Sequence, residues 1–391
     1  MTERHHVIVA GAGPVGLTAA LLLADAGIPV TVLEKRPMLS TASKASTFHP
    51  PTLAILHHLG VLDEVLHRGK IVRRVQYRTA RDGVFAEFAL DALSGKTAFP
   101  YRLHLEQAEV TPIILDRLRA HAHACVLFDA ELRDVGEGNG RARAHIRRNG
   151  VDETITGEYL VGADGSRSDV RRALGIAFEG EDYPDKVLRV MTRDDLEPLL
   201  QGIAPVTYLF NGTKSVSFLR MIDCWRIILR VPKEVDDATA LDPDWILARL
   251  RDAIPRCDRL PTVVMKDVYG VSKRVAERYH VGRTVLIGDA AHVTNTRGGM
   301  NMNCGLHDAF AVAQAIIAAL AGGDPKIVDD AINERRRVAT QMLIPRTDRN
   351  VAGGDAWLDQ VQSMAADPAQ ALAYLRSTAM LDMAPSPAIG H

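Results

Sequence analysis

The chain is built from two alternating kinds of hydrophobic pattern. Near its start a short apolar run, Val7-Ile8-Val9-Ala10, leads into Gly11, Gly13 and Gly16 and then into helical spacing at Leu17, Ala20, Leu21 and Ala24. Gly27 and Pro29 break that helix, and a second apolar run, Val30-Thr31-Val32-Leu33, delivers Glu34. Short apolar runs bounded by glycine read as buried strands, and the 3.6-residue period reads as a helix. Residues 7–34 therefore predict strand, tight turn, helix, strand and a terminal carboxylate. Two later stretches repeat part of this theme. The run 159–163 ends in Asp164-Gly165, before a helix that starts near Ser166 and Ser168. The run 284–287 ends in Gly288-Asp289, followed by a loop over 293–304 and a long apolar helix over 306–320.

Between these stretches the pattern changes to short alternating runs, which read as strands. They lie at Val75/Tyr77 and Val84/Phe88, and at 206–210, 215–219 and 225–231, with a helix over 245–253. A hairpin is expected from 125–134 and 142–148, turning at the glycines of 136–140. The bulky strand residues Tyr208, Phe210, Leu219, Trp225 and Ile227 read first as core. The expected fold is α/β. A Rossmann-like nucleotide-binding domain is made of 1–75, 100–180 and 271–345. An inserted β-sheet substrate domain comprises 76–99 and 181–270, and a helical segment closes the chain at 346–391.

Composition narrows the function classes. Lys+Arg is 47 against Asp+Glu 48, a net charge of -1, which argues against a nucleic-acid or polybasic membrane surface. Cys125, Cys224, Cys257 and Cys304 are widely spaced without C-x-x-C, so they read as reduced, buried thiols. The first strand begins by Val7, leaving no room for a signal peptide, and the apolar stretches look interrupted before membrane-spanning length. A soluble cytoplasmic protein, monomer or homodimer, is expected.

The chemistry resides in the glycine turns. G-x-G-x-x-G between a strand and a helix, with an acid at the end of the next strand, is the arrangement of a dinucleotide site. Gly11 permits the turn, Gly13 lets the backbone approach a pyrophosphate, and Gly16 lets helix and strand pack closely. The helix N-terminus offers N–H groups to phosphate, and Glu34 can accept from a ribose diol. Asp164-Gly165 and Gly288-Asp289 are two further turns at strand ends. Lys44 and His49 are the notable polar residues of the Ser/Thr/Pro-rich loop 37–52, and His292 reads as a packing or capping residue.

Taken together, these motifs resemble the class A single-component FAD-dependent aromatic hydroxylases, the para-hydroxybenzoate hydroxylase-like family. The resemblance extends to about residue 345. It implies an FAD pyrophosphate at Gly11, Gly13, Pro14, Val15 and Gly16, with Glu34 on the adenosine ribose and Lys35 next to it. It also implies Lys44 and Gln107 near the ribityl region, Leu132 near the adenine, Asp164-Gly165 as the family's Asp-Gly signature and Gly288-Asp289 as its Gly-Asp signature. Backbone N–H groups of Met302 and Asn303 would meet the isoalloxazine. Asn295, Thr296 and Asn301 depart from the family pattern; asparagine tolerates positive φ, so Asn301 is expected to carry the loop. The implied activity is hydroxylation of a small phenolic or N-heteroaromatic substrate with NADH or NADPH and O₂, through a flavin C4a-hydroperoxide. No catalytic base is evident; His49, Tyr208 and Arg220 are put forward. The alternatives are an FAD oxidoreductase without hydroxylation, or a degenerate flavin-fold binding protein.

Overall fold

A computed structural model describes residues 5–42, 45–212, 214–352 and 355–385. Its first layer is a six-stranded sheet. The order is His280–Val281, Thr284–Leu286, Tyr159–Gly162, Val7–Ala10, Val30–Leu33 and Ala124–Leu127, parallel except for the first, edge strand. A parallel sheet must be covered on its faces. The helix Pro14–Asp25 is buried along nearly its whole length between this sheet and the long helix Met300–Leu320. That explains its uniformly apolar sequence. The three glycine-bearing turns leave the carboxyl ends of three adjacent strands, so segments about 120–150 residues apart in sequence meet at one sheet edge.

The second layer is a seven-stranded sheet drawn from 74–89 and 185–269. Beyond the expected runs it includes Asp185–Thr192 and Val263–Tyr269, whose polar residues hide the alternation. Asp355–Ala366 and Pro368–Thr378, at the C-terminal end, pack on its strands Arg74–Thr79 and Gly83–Ala89, with Val361, Leu375 and Ala379 joining the core of Tyr77 and Phe88. The expected helical segment over 346–391 thus includes a pair of helices folded against each other.

Several expectations need correction. The hairpin comprises Ala130–Gly138 and Arg141–Arg148, turning at Asn139-Gly140 with φ of 55° and 72°; residues 124–127 belong to the parallel sheet. The long helix begins at Met300, so residues 300–304 of the expected loop are helical. The positive φ angles fall on Gly298 (88°) and Gly299 (64°), and Asn301 lies within the helix. Met300–Leu320 has the length and hydropathy of a membrane span, contrary to the sequence reading, but 67% of its most apolar stretch is buried inside the molecule. Cys125 is exposed, whereas the other three cysteines are buried.

Candidate active site

The glycine turn is built as its spacing requires. Gly11 has φ of 104°, and a Cβ there would sit 2.5 Å from the Ala163 carbonyl oxygen. A Cβ on Gly16 would lie 2.0 Å from the Gly11 carbonyl oxygen. Gly13 has no neighbouring atom within 4 Å of such a Cβ and opens onto a cleft of about 1070 Å³. The Glu34 carboxylate accepts from the backbone N–H groups of Ala12 and Arg36, each at 3.0 Å. It thereby fixes the turn and retains lone pairs for another donor.

Pro14, Val15, Gln107, Gly165, Asp289 and Met302 line the same cleft. Asp164 lies one residue before Gly165. Its Oδ2 accepts from the N–H groups of Asp169 (2.6 Å) and Val170 (3.1 Å), capping the next helix, while its buried Oδ1 has no partner among the described residues. Burial raises its pKa. Asp289 accepts from Asn301 Nδ2 at 2.8 Å, and Asn301 Oδ1 is likewise buried and unsatisfied. Arg171, at the end of the Asp-Gly stretch, joins two of the turns. It donates to the carbonyls of Ser166 and Ala290, each at 2.8 Å, with its guanidinium 3.7 Å from the centre of the Phe178 ring. An open glycine cradle, a helix N-terminus and unsatisfied buried polar atoms fit a dinucleotide cofactor.

Other expected residues lie elsewhere. Lys35 pairs with Asp169 at 3.0 Å, outside the cleft lining. Leu132 is buried in the strand whose first residue, Ala130, donates to the Glu34 carbonyl. Lys44 falls outside the described residues. Asn303 is fully buried and does not line the cleft. Its side chain accepts from the His49 N–H (2.9 Å) and donates to the carbonyls of Thr47 (2.7 Å) and Gly299 (2.6 Å). In a helix beginning at Met300, the N–H groups without intrahelical acceptors are those of its first three residues. Asn301 and Met302 therefore present the N–H groups expected from Met302 and Asn303.

A second cavity, of about 780 Å³, lies between the seven-stranded sheet and this helix N-terminus. Ala45, Tyr269, Thr296, Asn301 and Met302 line both spaces, so the cleft and the cavity meet at the start of the helix. Of the three residues put forward for catalysis, only Tyr208 lines the cavity. His49 Nε2 donates to the Gly298 carbonyl at 2.8 Å and props up the Gly298-Gly299 turn. The Arg220 guanidinium stands 5.4 Å from the centre of the Trp225 ring, and its carbonyl accepts from His104 Nδ1 at 2.9 Å. That bond fixes the His104 tautomer, because a carbonyl only accepts. His104 lines the cavity, and its buried Nε2 has no partner among the described residues. Burial lowers its pKa to about 4, with the nearby charges of Arg102 and Arg226 adding to the effect. Arg102, Arg226, Arg230 and Arg297 complete the polar wall. A signal for two of them was present in the sequence: Arg226, Ile228 and Arg230 alternate along one strand and so share a face.

Comparisons with known proteins agree with this geometry. Residues 4–344 match a family described as "FAD binding domain". The 6-hydroxy-3-succinoylpyridine 3-monooxygenase HspB of Pseudomonas putida is 30% identical over 388 residues, covering 94% of this chain and 95% of that protein. The para-nitrophenol 4-monooxygenase of a Pseudomonas strain is 28% identical over 380 residues, covering 93% and 88%. Among solved structures, p-nitrophenol 4-monooxygenase PnpA from Pseudomonas putida superposes with a TM-score of 0.87 at 25% identity, over 96% of each chain. The chain belongs to this FAD-binding-domain family and, within it, to the class A flavoprotein aromatic hydroxylases.

Proposed function

We propose that this FAD-dependent aromatic monooxygenase acts on a small hydroxylated benzene or N-heteroaromatic ring, with NADH or NADPH as reductant and O₂ as co-substrate. The observation that carries the reading is the junction at Asn301 and Met302, where a dinucleotide-shaped cleft opens onto a walled cavity. HspB and the nitrophenol monooxygenases, named for activity on a hydroxypyridine and a nitrophenol, support the same substrate size.

When bound, FAD supplies the activation of O₂ and the transfer of one oxygen atom to the ring. The remaining tasks fall to the chain. Gly13 and the N-terminus of the helix Pro14–Asp25 receive the pyrophosphate, and the spare lone pairs of Glu34 receive the adenosine ribose. Asp289 and Gln107 hold the ribityl side. The N–H groups of Asn301 and Met302 would hold the flavin ring and offer it stabilisation of negative charge. The seven-stranded sheet and the C-terminal helices keep water from the cavity. His104 Nε2, neutral at working pH and held so by burial, accepts a hydrogen bond from the substrate hydroxyl and orients the ring.

The test is to load the protein with FAD and offer phenols and hydroxypyridines with NADH or NADPH. Nucleotide oxidation and product mass are the readouts. The expected result is stimulated oxidation with a product heavier by one oxygen atom. Oxidation that yields only hydrogen peroxide across the whole series would contradict the proposal.

A further inference from the structure

The loop at the meeting of the cleft and the cavity is held from behind by a fully buried amide, Asn295. Its Oδ1 accepts from the Arg297 N–H at 3.0 Å, closing a turn over Thr296. Its Nδ2 donates to the Tyr183 hydroxyl, also at 3.0 Å. The far end of the chain fixes the direction of that bond. Tyr183 has one hydroxyl proton, and it goes to the Asp348 carboxylate, which only accepts. Asp348 is held in turn by Lys273 at 3.2 Å. Alongside, Thr347 gives its proton to the carbonyls of Leu343 and Ile344, at 3.1 and 3.0 Å. It therefore accepts from the Thr294 hydroxyl at 2.6 Å.

Thr347 and Asp348 reach the loop through an irregularity in their helix. Ala339–Leu343 form a π-helical turn between Lys326–Val338 and Ile344–Ala352. One extra residue in a turn rotates every later side chain by about 100° relative to a continuous α-helix. Such turns occur frequently at functional sites. What they hold here is the wall of both spaces. Thr294 and Thr296 line the cleft, and Thr296, Arg297, Gly298 and Gly299 line the cavity. Asn295, Tyr183 and Asp348 line neither. Burying an amide is costly unless its polar atoms are paired, and Asn295 has both ends engaged.

We infer that Asn295 is a positioning residue for hydroxylation, acting through Tyr183 and Asp348 to hold 296–299 between the cleft and the cavity. The inference rests on the monooxygenase reading above. With the loop held, one atom of O₂ goes to the ring and the other leaves as water. With the loop loose, the two electrons from NADH or NADPH go to O₂ alone, which takes two protons and leaves as hydrogen peroxide.

The test compares Asn295→Ala, Tyr183→Phe, the double variant and Asp348→Asn. Each is loaded with FAD and given the phenol or hydroxypyridine that the unaltered protein hydroxylates fastest. Product and peroxide are counted against nucleotide oxidised, and amide hydrogen exchange of 293–300 is followed with and without FAD. Asn295→Ala and Tyr183→Phe should each lower the product rate about tenfold, part of the roughly hundredfold that a 1 Å misplacement can cost. Nucleotide oxidation and the substrate KM should stay within about twofold, because neither residue touches the substrate. The missing product should appear as peroxide, and the loop amides should exchange faster. Because the residues act as one chain, the double variant should be no worse than either single variant. Asp348→Asn keeps an oxygen that accepts from Tyr183 and should keep the product share. A packing role alone would lower the melting temperature and FAD content and leave the product share unchanged. That result, or product losses that multiply in the double variant, overturns the inference. If Asn295→Ala does not fold, Tyr183→Phe against Asp348→Asn decides: a fall in product share in the first alone supports the inference, and equal shares overturn it. If the unaltered protein hydroxylates no ring offered, the monooxygenase reading fails. Exchange of 293–300 in Tyr183→Phe then tests the anchor separately: faster exchange supports it, and unchanged exchange overturns it.

Discussion

Gly13 and Gly16 stand three residues apart, yet substitutions there have different consequences. A methyl on Gly16 collides with the Gly11 carbonyl at 2.0 Å, so Gly16→Ala should disturb the turn itself. A methyl on Gly13 meets no protein atom within 4 Å, and its φ of -77° suits any residue. Gly13→Ala should therefore leave the stability of the FAD-free protein within about 0.5 kcal/mol, as for a benign surface change. It should still lower FAD retention at least tenfold, read as the flavin-to-protein absorbance ratio after gel filtration. Equal loss of stability and cofactor would show that the space above Gly13 is not where the pyrophosphate lies. His104 offers a second separation. His104→Ala should retain FAD but raise the KM for a phenol by about tenfold at pH 7, the upper range of one lost hydrogen bond. An unchanged KM would exclude His104 as the acceptor.

Among the elements, the helix Met300–Leu320 does most to hold the turns together. Asp308, buried within it, accepts from Gly288 N–H (3.1 Å), His292 Nε2 (2.8 Å) and Arg335 Nε (2.7 Å), which fastens the Gly-Asp turn to two helices. Arg335 also donates to Cys304 Sγ, so His292, Cys304 and Asp308 converge in a buried core network, in which His292 Nδ1 lacks a partner among the described residues. Asp308→Ala would leave a buried guanidinium without its carboxylate, at a cost of about 3–5 kcal/mol, measurable by urea unfolding. A loss below 1 kcal/mol would show that the network is not needed. The turns were legible in the sequence because each is a local signal, a glycine after an apolar run. The helix start was not. Gly299 supplies its left-handed cap, and the Asn303 side chain is spent on Thr47 and His49, some 250 residues away in sequence. The strand Asp185–Thr192 escaped notice for a related reason. Arg189 looks solvent-exposed by its chemistry, but it is buried against Asp267 of the neighbouring strand. Arg102, Arg226, Arg230 and Arg297 come from three distant segments, and only the folded sheet brings them to one wall.

Across the whole molecule, three of the four histidines buried among the described residues weaken the fold as the pH falls, while His292, held despite burial above its ordinary pKa beside Cys304 and Asp308, opposes them in part. Burial lowers the pKa of His104 to about 4, that of His307 to about 3, and that of His49 well below its ordinary 6.5. In the unfolded chain each takes a proton near 6.5. Between that value and the folded values the unfolded state binds more protons, so stability must fall as the pH drops through this window. Above about 6.5 the contribution is complete; below about 3 it is gone. The shifts correspond to about 3 kcal/mol for His104 and about 5 kcal/mol for His307, and thermal unfolding followed from pH 7 to pH 4 should show a steady loss. Flat stability over that range would contradict the buried neutral imidazoles. The fold as a whole brings two spaces together at Asn301 and Met302, and in the proposed function an oxygen atom passes from one to the other there. The most direct measurement is turnover of a hydroxyaromatic substrate by the FAD-loaded protein under ¹⁸O₂, with mass spectrometry of the product. The account predicts one ¹⁸O atom in the new hydroxyl group; a product that draws its oxygen from water would contradict it.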